Sequence, residues 1–383
     1  MIDETVEPDD AADEERHATN LELFLDLVFV FSVTQITGML SHDLSWTGVV
    51  RAAIVSWLVW WQWSQFTWAG AAVDLQRNSG TRLLVLVTIP PTLVMATAIP
   101  SSFGDSAWWF GAAYLVVQLL VLAMQGSESL KAEATRHAFV QYASVAAISP
   151  VVVFAGCWLD GDARIAAWLL AAMINVVGAL RGAGKGEWVI NPVHFAERHA
   201  LFVIIALGEV LVAVGATASG EGLSSRILLG LGIAASGACV IWWMYFAYIP
   251  TVVEHALRKA SGRERGVLAR DLFTFGHFPI IAGIICYAVV VKHLVPHATD
   301  AIHPDERWLL IATVVLIVGG FLSMQRRVVR RLALERIAAI AMVAVWCTLA
   351  SGVAASVVVG GVIAILGVMQ AISWRRFRRA SSR

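Results

Sequence analysis

Residues 82–125 read RLLVLVTIPPTLVMATAIPSSFGDSAWWFGAAYLVVQLLVLAMQ. Two apolar runs, 82–100 and 107–125, flank a short loop whose one charge is Asp105. A bilayer core of about 30 Å needs roughly 20 apolar residues in a helix, and only a helix or a closed barrel satisfies its own backbone there. Each run is long enough, so the stretch reads as two membrane-spanning helices joined by a turn. The pattern continues in both directions. Runs at 22–40, 47–71, 136–156, 163–181, 196–218, 226–250, 270–294, 307–325, 332–350 and 353–373 bring the total to twelve. Only Ser351 and Gly352 part the last two.

Composition agrees. The chain has 383 residues, 58% of them hydrophobic and only 15% charged, with mean hydropathy +0.72. A soluble domain carries about 25% charged residues. Net charge is zero, so no global field points to nucleic acid or to an acidic partner. Cys157, Cys239, Cys286 and Cys347 are isolated in or beside apolar runs and form no disulfide framework or CxxC pair. The first apolar run follows an acidic tail ending in Asp13, Glu14 and Glu15. A signal peptide needs a basic start and a small-residue cleavage site, so the first helix is expected to stay in the mature protein.

Lysine and arginine in the loops set orientation. Arg77 and Arg82 follow the second run, Lys131 and Arg136 the fourth, and Arg181, Lys185 and Arg198 the sixth. EHALRKASGRERGVLAR follows the eighth, RRVVRR the tenth and WRRFRR the twelfth. The intervening loops SHDLSW, SSFGDSAW and SGEGLSS lack lysine and arginine. Even-numbered loops and both termini are therefore expected in the cytoplasm, with the protein in the cell membrane.

A faint internal repeat divides the chain. Leu23-Phe24 is matched by Leu201-Phe202. Trp60-Trp61, Trp63 and Phe66 are matched by Trp242-Trp243, Tyr245 and Tyr248, and Arg82 with Pro90 by Arg270 with Pro279. The expected organisation is an all-α polytopic fold of two six-helix repeats. Residues 1–21 form an acidic tail, 22–181 the first repeat, 182–195 a connector, 196–373 the second repeat and 374–383 a basic tail. Two copies of an even number of spans insert in the same orientation, related by an axis along the membrane normal. Gly182, Gly184 and Gly186 in the connector read as a flexible loop.

NLELFLDLVFVFSVTQIT (20–37) and ERHALFVIIALGEVLVAVG (197–215) resemble the two most recognisable stretches of the LtrA family, bacterial membrane proteins named for a low-temperature requirement. The resemblance extends over the chain in length and helix count. It implies a multi-spanning membrane protein, and the family name records a growth phenotype without specifying a substrate. A second stretch, Leu21-Glu22-x-Phe24-x-Asp26-x-Val28-Phe29, is similar to the first helix of the potassium channels known by an Arg-x-x-x-Phe-Ser-Asp motif. Those channels are also built from six-helix repeats. Here Leu25 replaces the serine, Asn20 stands for the arginine, and Ile204 stands where the second repeat would carry aspartate.

Ionisable groups are costly inside a bilayer, roughly 2.5–3.5 kcal/mol at a helix centre on insertion scales, which makes them the best markers of a site. Glu22 and Asp26 lie one turn apart at the start of the first helix. They suit a cation-attracting vestibule, dipole-complementing acids, or a structural pair with a neighbouring arginine. Glu209 lies twelve residues beyond Glu197, about 18 Å along a helix. Gly208 and Gly215 beside it would let another helix approach. The readings for Glu209 are a proton-binding site and a protonated, hydrogen-bonded carboxyl. His277 precedes Pro279, which can free a backbone carbonyl, and Pro90-Pro91 occupy the corresponding place. Broken helices at matching positions of two halves point to a transporter site. Trp60, Trp61, Gln62 and Gln65 suit packing between repeats or the lining of a pathway, whereas Trp68 and Tyr248 are explained by an interfacial aromatic belt. His194, Glu197 and His199 read as a solvated start of the seventh helix.

No nucleophile elbow, P-loop or HExxH is present, so no enzyme activity, cofactor or metal is expected. The expected partners are the lipid bilayer and an unidentified small solute or ion, with no nucleic acid, and a homo-oligomer is compatible. The function expected is passage of that solute or ion, in a proton-coupled form. The alternatives are a non-transporting sensor or scaffold in cold or stress adaptation and, from the second resemblance, a cation channel.

Overall fold

The computed structural model describes residues 17–73, 79–183, 187–330 and 333–381. The acids of the tail through Glu15, together with Arg77, Gly184, Lys185, Gly186 and Arg331, lie outside the described residues. All regular secondary structure among the described residues is helical, apart from an isolated antiparallel bridge between Ala301 and Ala354. The first half contains α1 (Asn20–His42), α2 (Trp46–Ala72), α3 (Ser79–Ala98), α4 (Ala107–Ser129), α5 (Glu133–Ala146), α6 (Ile148–Ala155) and α7 (Gly161–Ala183). The second contains α8 (Pro192–Glu221), α9 (Ser225–Phe246), α10 (Ile249–Lys259), α11 (Gly262–Ala269), a π-helical turn (Arg270–Phe275), α12 (Gly276–Leu294), α13 (Pro304–Val329), α14 (Leu334–Leu349) and α15 (Ala355–Ser381).

Among the described residues, ten helical segments are long and apolar enough to cross a membrane. The chain is thus an all-α, multi-span membrane protein. The two runs outside this set, on α2 and α14, fall short for different reasons. α14 has only 16 residues. α2 is rich in Trp and carries Arg51, Gln62 and Gln65, which depress its hydropathy. Yet every residue from Leu58 to Ala71 is buried, so α2 is the central helix of the bundle. A helix buried on all sides can carry polar groups that its neighbours satisfy.

Breaks follow from proline and glycine. Run 136–156 divides at Ala147 into α5 and α6, where Pro150 has no N–H for the preceding turn. Run 226–250 ends at Phe246, and Pro250 opens α10. α10 buries Ile249, Val253 and Leu257 and keeps Arg258 and Lys259 at its end. The basic segment after α9 is thus largely helical and packs on α8, α9 and α13. Gly352 adopts φ +76° between α14 and α15, a left-handed conformation that glycine reaches without a Cβ clash. Its neighbours pair with the α12–α13 loop through Ala355 N–H to Asp300 O at 2.8 Å and Ser356 N–H to Ala298 O at 2.9 Å.

Neighbour relations recur between the halves. In the first, α1 packs on α2 and α3, α3 on α4, α4 on α5 and α6, α5 and α6 on α7, and α7 on α2. In the second, α8 packs on α9 and α12, α12 on α13, α13 on α14, α14 on α15, and α15 on α9. The halves meet where α1 and α2 touch α8 and α12. Burial is less even: Trp242 on α9 is 50% exposed, whereas Trp60 and Trp61 on α2 are buried.

Candidate functional site

The start of α1 is fixed by a capping box. Thr19 N–H and Oγ1–H donate to Glu22 Oε2 at 2.8 and 2.9 Å, and Glu22 N–H returns to Thr19 Oγ1 at 3.3 Å. The second oxygen of Glu22 faces α8. Oε1 accepts from Arg198 Nη1 at 2.8 Å and lies 2.8 Å from His194 Nε2. One turn along, Asp26 Oδ1 accepts from Arg198 Nη2 and from Trp63 Nε1, the latter at 2.8 Å. Glu22 and Asp26 are four residues apart, as are His194 and Arg198, so the two helix faces match in register. α8 is itself capped by Asn191, whose side chain accepts from His194 N–H at 3.1 Å.

All four ionisable side chains are buried, Arg198 to 1% exposure. Asp26 Oδ2, Arg198 Nε and His194 Nδ1 have no partner among the described residues. Gly70 on α2 makes room for the cluster. A Cβ there would lie 2.5 Å from Glu22 Oε1 and 3.5 Å from His194 Cε1. Of the readings open for Glu22 and Asp26, the structure presents the pair with an arginine.

An aromatic layer continues from the cluster. His199 packs 4.9 Å from Trp63, Phe273 and His277, measured between ring centroids. His199 Nδ1 is 2.8 Å from Phe195 O, and His277 Nδ1 is 2.9 Å from Leu272 O. A carbonyl only accepts, so both Nδ1 atoms carry protons. His277 Nε2 is 2.8 Å from the Tyr245 hydroxyl. The solvated start expected for His194 and His199 is therefore corrected: both are buried, because α1 and α2 cover that face of α8. Glu197 points elsewhere and accepts from Ala18 N–H at 2.9 Å.

The π turn before Pro279 is gripped by α2. Trp60 Nε1 donates to Thr274 O at 2.8 Å, Trp68 Nε1 to Thr274 Oγ1 at 3.0 Å, and Ser64 Oγ lies 3.0 Å from the same hydroxyl. Trp68 is thus an internal donor and not part of an interfacial belt. α3, by contrast, continues as an α-helix through Pro90 and Pro91. Gln62 and Gln65 face the other side of α2. Gln62 Nε2 donates to Tyr114 O at 2.7 Å, and Gln65 Oε1 accepts from Tyr142 Oη at 2.7 Å and Gln125 Nε2 at 3.1 Å. Trp61 is fully buried, and its indole N–H has no partner among the described residues.

Glu209 stands apart. It is half-buried, beside the outward-facing Ile204 and Val212 of α8. No hydrogen bond or ion pair to it exists among the described residues. A Cβ on Gly208 or Gly215 would meet nothing within 4 Å, so no helix among the described residues approaches there. Among the described residues no group of three or more His, Cys, Asp or Glu could hold a metal ion.

The model of the family "Bacterial low temperature requirement A protein (LtrA)" matches residues 17–371, a span that holds every residue of this site. The chain belongs to the LtrA family. A protein of Rhizobium meliloti (strain 1021) described as uncharacterized is 28% identical over 381 residues, covering 94% of this chain and 90% of its own. No solved structure matches the chain. Within this LtrA fold, sequence reasoning selected Glu22, Asp26, His277 and Trp60, and it passed over Arg198, His194, His199, Trp63 and Gly70. The matching four-residue spacings of the two pairs are the signal that could have joined α1 to α8.

Proposed function

We propose that this LtrA protein passes a small solute or ion across the cell membrane in exchange for, or together with, protons. The observation that carries the reading is the buried ion cluster joining the two halves, set beside an interrupted helix. Glu22 and Asp26 come from α1 and His194 and Arg198 from α8. A cluster with unsatisfied polar atoms can be opened and re-formed, which is what a gate between two rocking halves requires. The π turn and Pro279 place a hinge on α12, with His277 and Tyr245 beside it. Glu209, without a hydrogen bond or ion pair among the described residues, is assigned the coupling proton. The full reading has twelve spans in two parallel six-helix repeats, with both termini and the basic loops in the cytoplasm. The recurring neighbour relations of the halves support it.

The test uses purified protein in liposomes loaded with a pH-sensitive dye, under an imposed pH gradient, screened against inorganic ions and small organic solutes. Solute-dependent proton movement is expected, and Glu209→Gln is expected to keep the solute flux but remove its pH dependence. Cation flux insensitive to pH would favour a channel. Absence of flux across the panel would favour the second reading, a sensor or scaffold. That alternative rests on the pairing of Glu22 by both Arg198 and His194, which leaves it little freedom.

A further inference from the structure

The groove between α12 and α13 is separate from the buried cluster. It is an open furrow of about 450 Å³. Its floor lies where the two helices come close: a Cβ on Gly320 would sit 2.9 Å from Ile280 Cγ1 and 3.2 Å from Gly276 O. Phe275 and Pro279 form one wall, Val315 and Leu316 the other. Gly319 opens the middle, since a Cβ there would meet nothing within 4 Å. The groove is apolar along the spans and ends at Asp271, Ser323 and Arg327.

That end carries excess positive charge. Asp271 accepts from Arg270 at 2.6 Å and from Arg327 Nε at 2.9 Å, so one carboxylate answers two guanidiniums. Arg327 uses only Nε in this bond, which leaves its two terminal nitrogens for another acceptor. Arg326 and Arg330 are exposed close by on the chain and have no ion-pair partner among the described residues. An apolar furrow along two helices long and apolar enough to cross a membrane, closed at one end by arginines, matches one ligand in both parts. Basic pockets between membrane helices bind anionic lipid headgroups in this way.

We propose that the α12–α13 groove is a binding site for an anionic diacyl phospholipid. One acyl chain lies over Gly319 between the two walls, and the phosphate accepts from the free nitrogens of Arg327. The neighbouring arginines supply the preference for a net negative headgroup. Arg327 is tied through Asp271 to the π turn, so an occupied groove would brace the interrupted helix.

The experiment titrates the full-length protein in detergent with dioleoyl phosphatidylglycerol, dioleoyl phosphatidylcholine and inorganic phosphate, and reads the thermal unfolding midpoint and the oligomeric state. The anionic lipid should raise the midpoint saturably, and the zwitterionic lipid and phosphate should not. Gly319→Leu fills open space on the outer face, so it should fold with an unchanged lipid-free midpoint and lose the lipid response. Arg326→Gln and Arg330→Gln, which break no ion pair among the described residues, should each weaken the response up to about fivefold. Equal responses to the two lipids, or an undiminished response in Gly319→Leu, would overturn the proposal. A Gly319→Leu protein whose oligomeric state changes while its lipid response persists would assign the groove to a second copy instead.

Discussion

Helices α1 and α8 both bring carboxylates into the membrane, and their surroundings treat them in opposite ways. Glu22 and Asp26 meet Arg198, His194, Trp63 and the Thr19 cap within hydrogen-bond distance. Glu209 meets none of these and lies half-buried on the outward side of its helix. The difference is one of partner geometry. A second helix crosses α1 in register with its acidic pair, while the glycines beside Glu209 face open space. A paired carboxylate is held by its cation, whereas one without an ion pair among the described residues has no such contact to break. The first site is the gate of the proposed function, and the second is where that proposal assigns the proton.

The comparison is broken most directly at Arg198. Arg198→Met leaves two buried carboxylates without their guanidinium, and removing one partner of a buried ion pair costs about 3–5 kcal/mol. A large fall in the unfolding midpoint in detergent is expected, with partial recovery when Glu22→Gln and Asp26→Asn are added. A midpoint equal to that of the parent protein would show that the cluster does not hold the halves together.

Gly70→Ala probes the same site from α2. Its new methyl would press on Glu22 Oε1, and such overpacking costs about 1–3 kcal/mol. Combined with Glu22→Ala the penalty should largely vanish, which a double-mutant cycle of unfolding energies can measure. Full additivity would mean that Gly70 is not there to admit the carboxylate.

Tyr245→Phe removes the hydroxyl from His277 Nε2 and leaves a buried nitrogen unpaired, at about 1–3 kcal/mol. Chemical denaturation reads the loss. An unchanged stability would separate His277 from the structural network and strengthen its role beside the hinge. The smallest effect on folding belongs to Glu209→Gln, expected within about 0.5 kcal/mol because no ion pair is broken. Its signature is in the liposome assay, where pH dependence should disappear. A destabilisation comparable to that of Arg198→Met would reveal a partner for Glu209 and erase the contrast drawn between α1 and α8.

The ten helices able to cross a membrane were legible from residue order. Hydrophobic length is a local property, and a bilayer demands it segment by segment, so all twelve apolar runs fall on helices, including α2 and α14 with their low hydropathy or short length. Proline and glycine act just as locally: Gly352 marked the turn between the last two runs, whereas Pro250 ends α9 at Phe246, inside a run read as continuous to residue 250. Neighbour relations were not legible in this way. Pro90-Pro91 and Pro279 look alike in sequence, yet α3 stays regular while the segment before Pro279 becomes a π turn gripped by Trp60, Trp68 and Ser64. Arg198, 172 residues from Asp26, reads in the sequence only as one of the basic residues that follow the sixth run, since charge counted along the chain says nothing of a partner on another helix. Only the packing of α1 against α8 decided which acid received the guanidinium. Ion pairs across helices depend on the register and rotation of two separate segments, and residue spacing within either one does not contain that information.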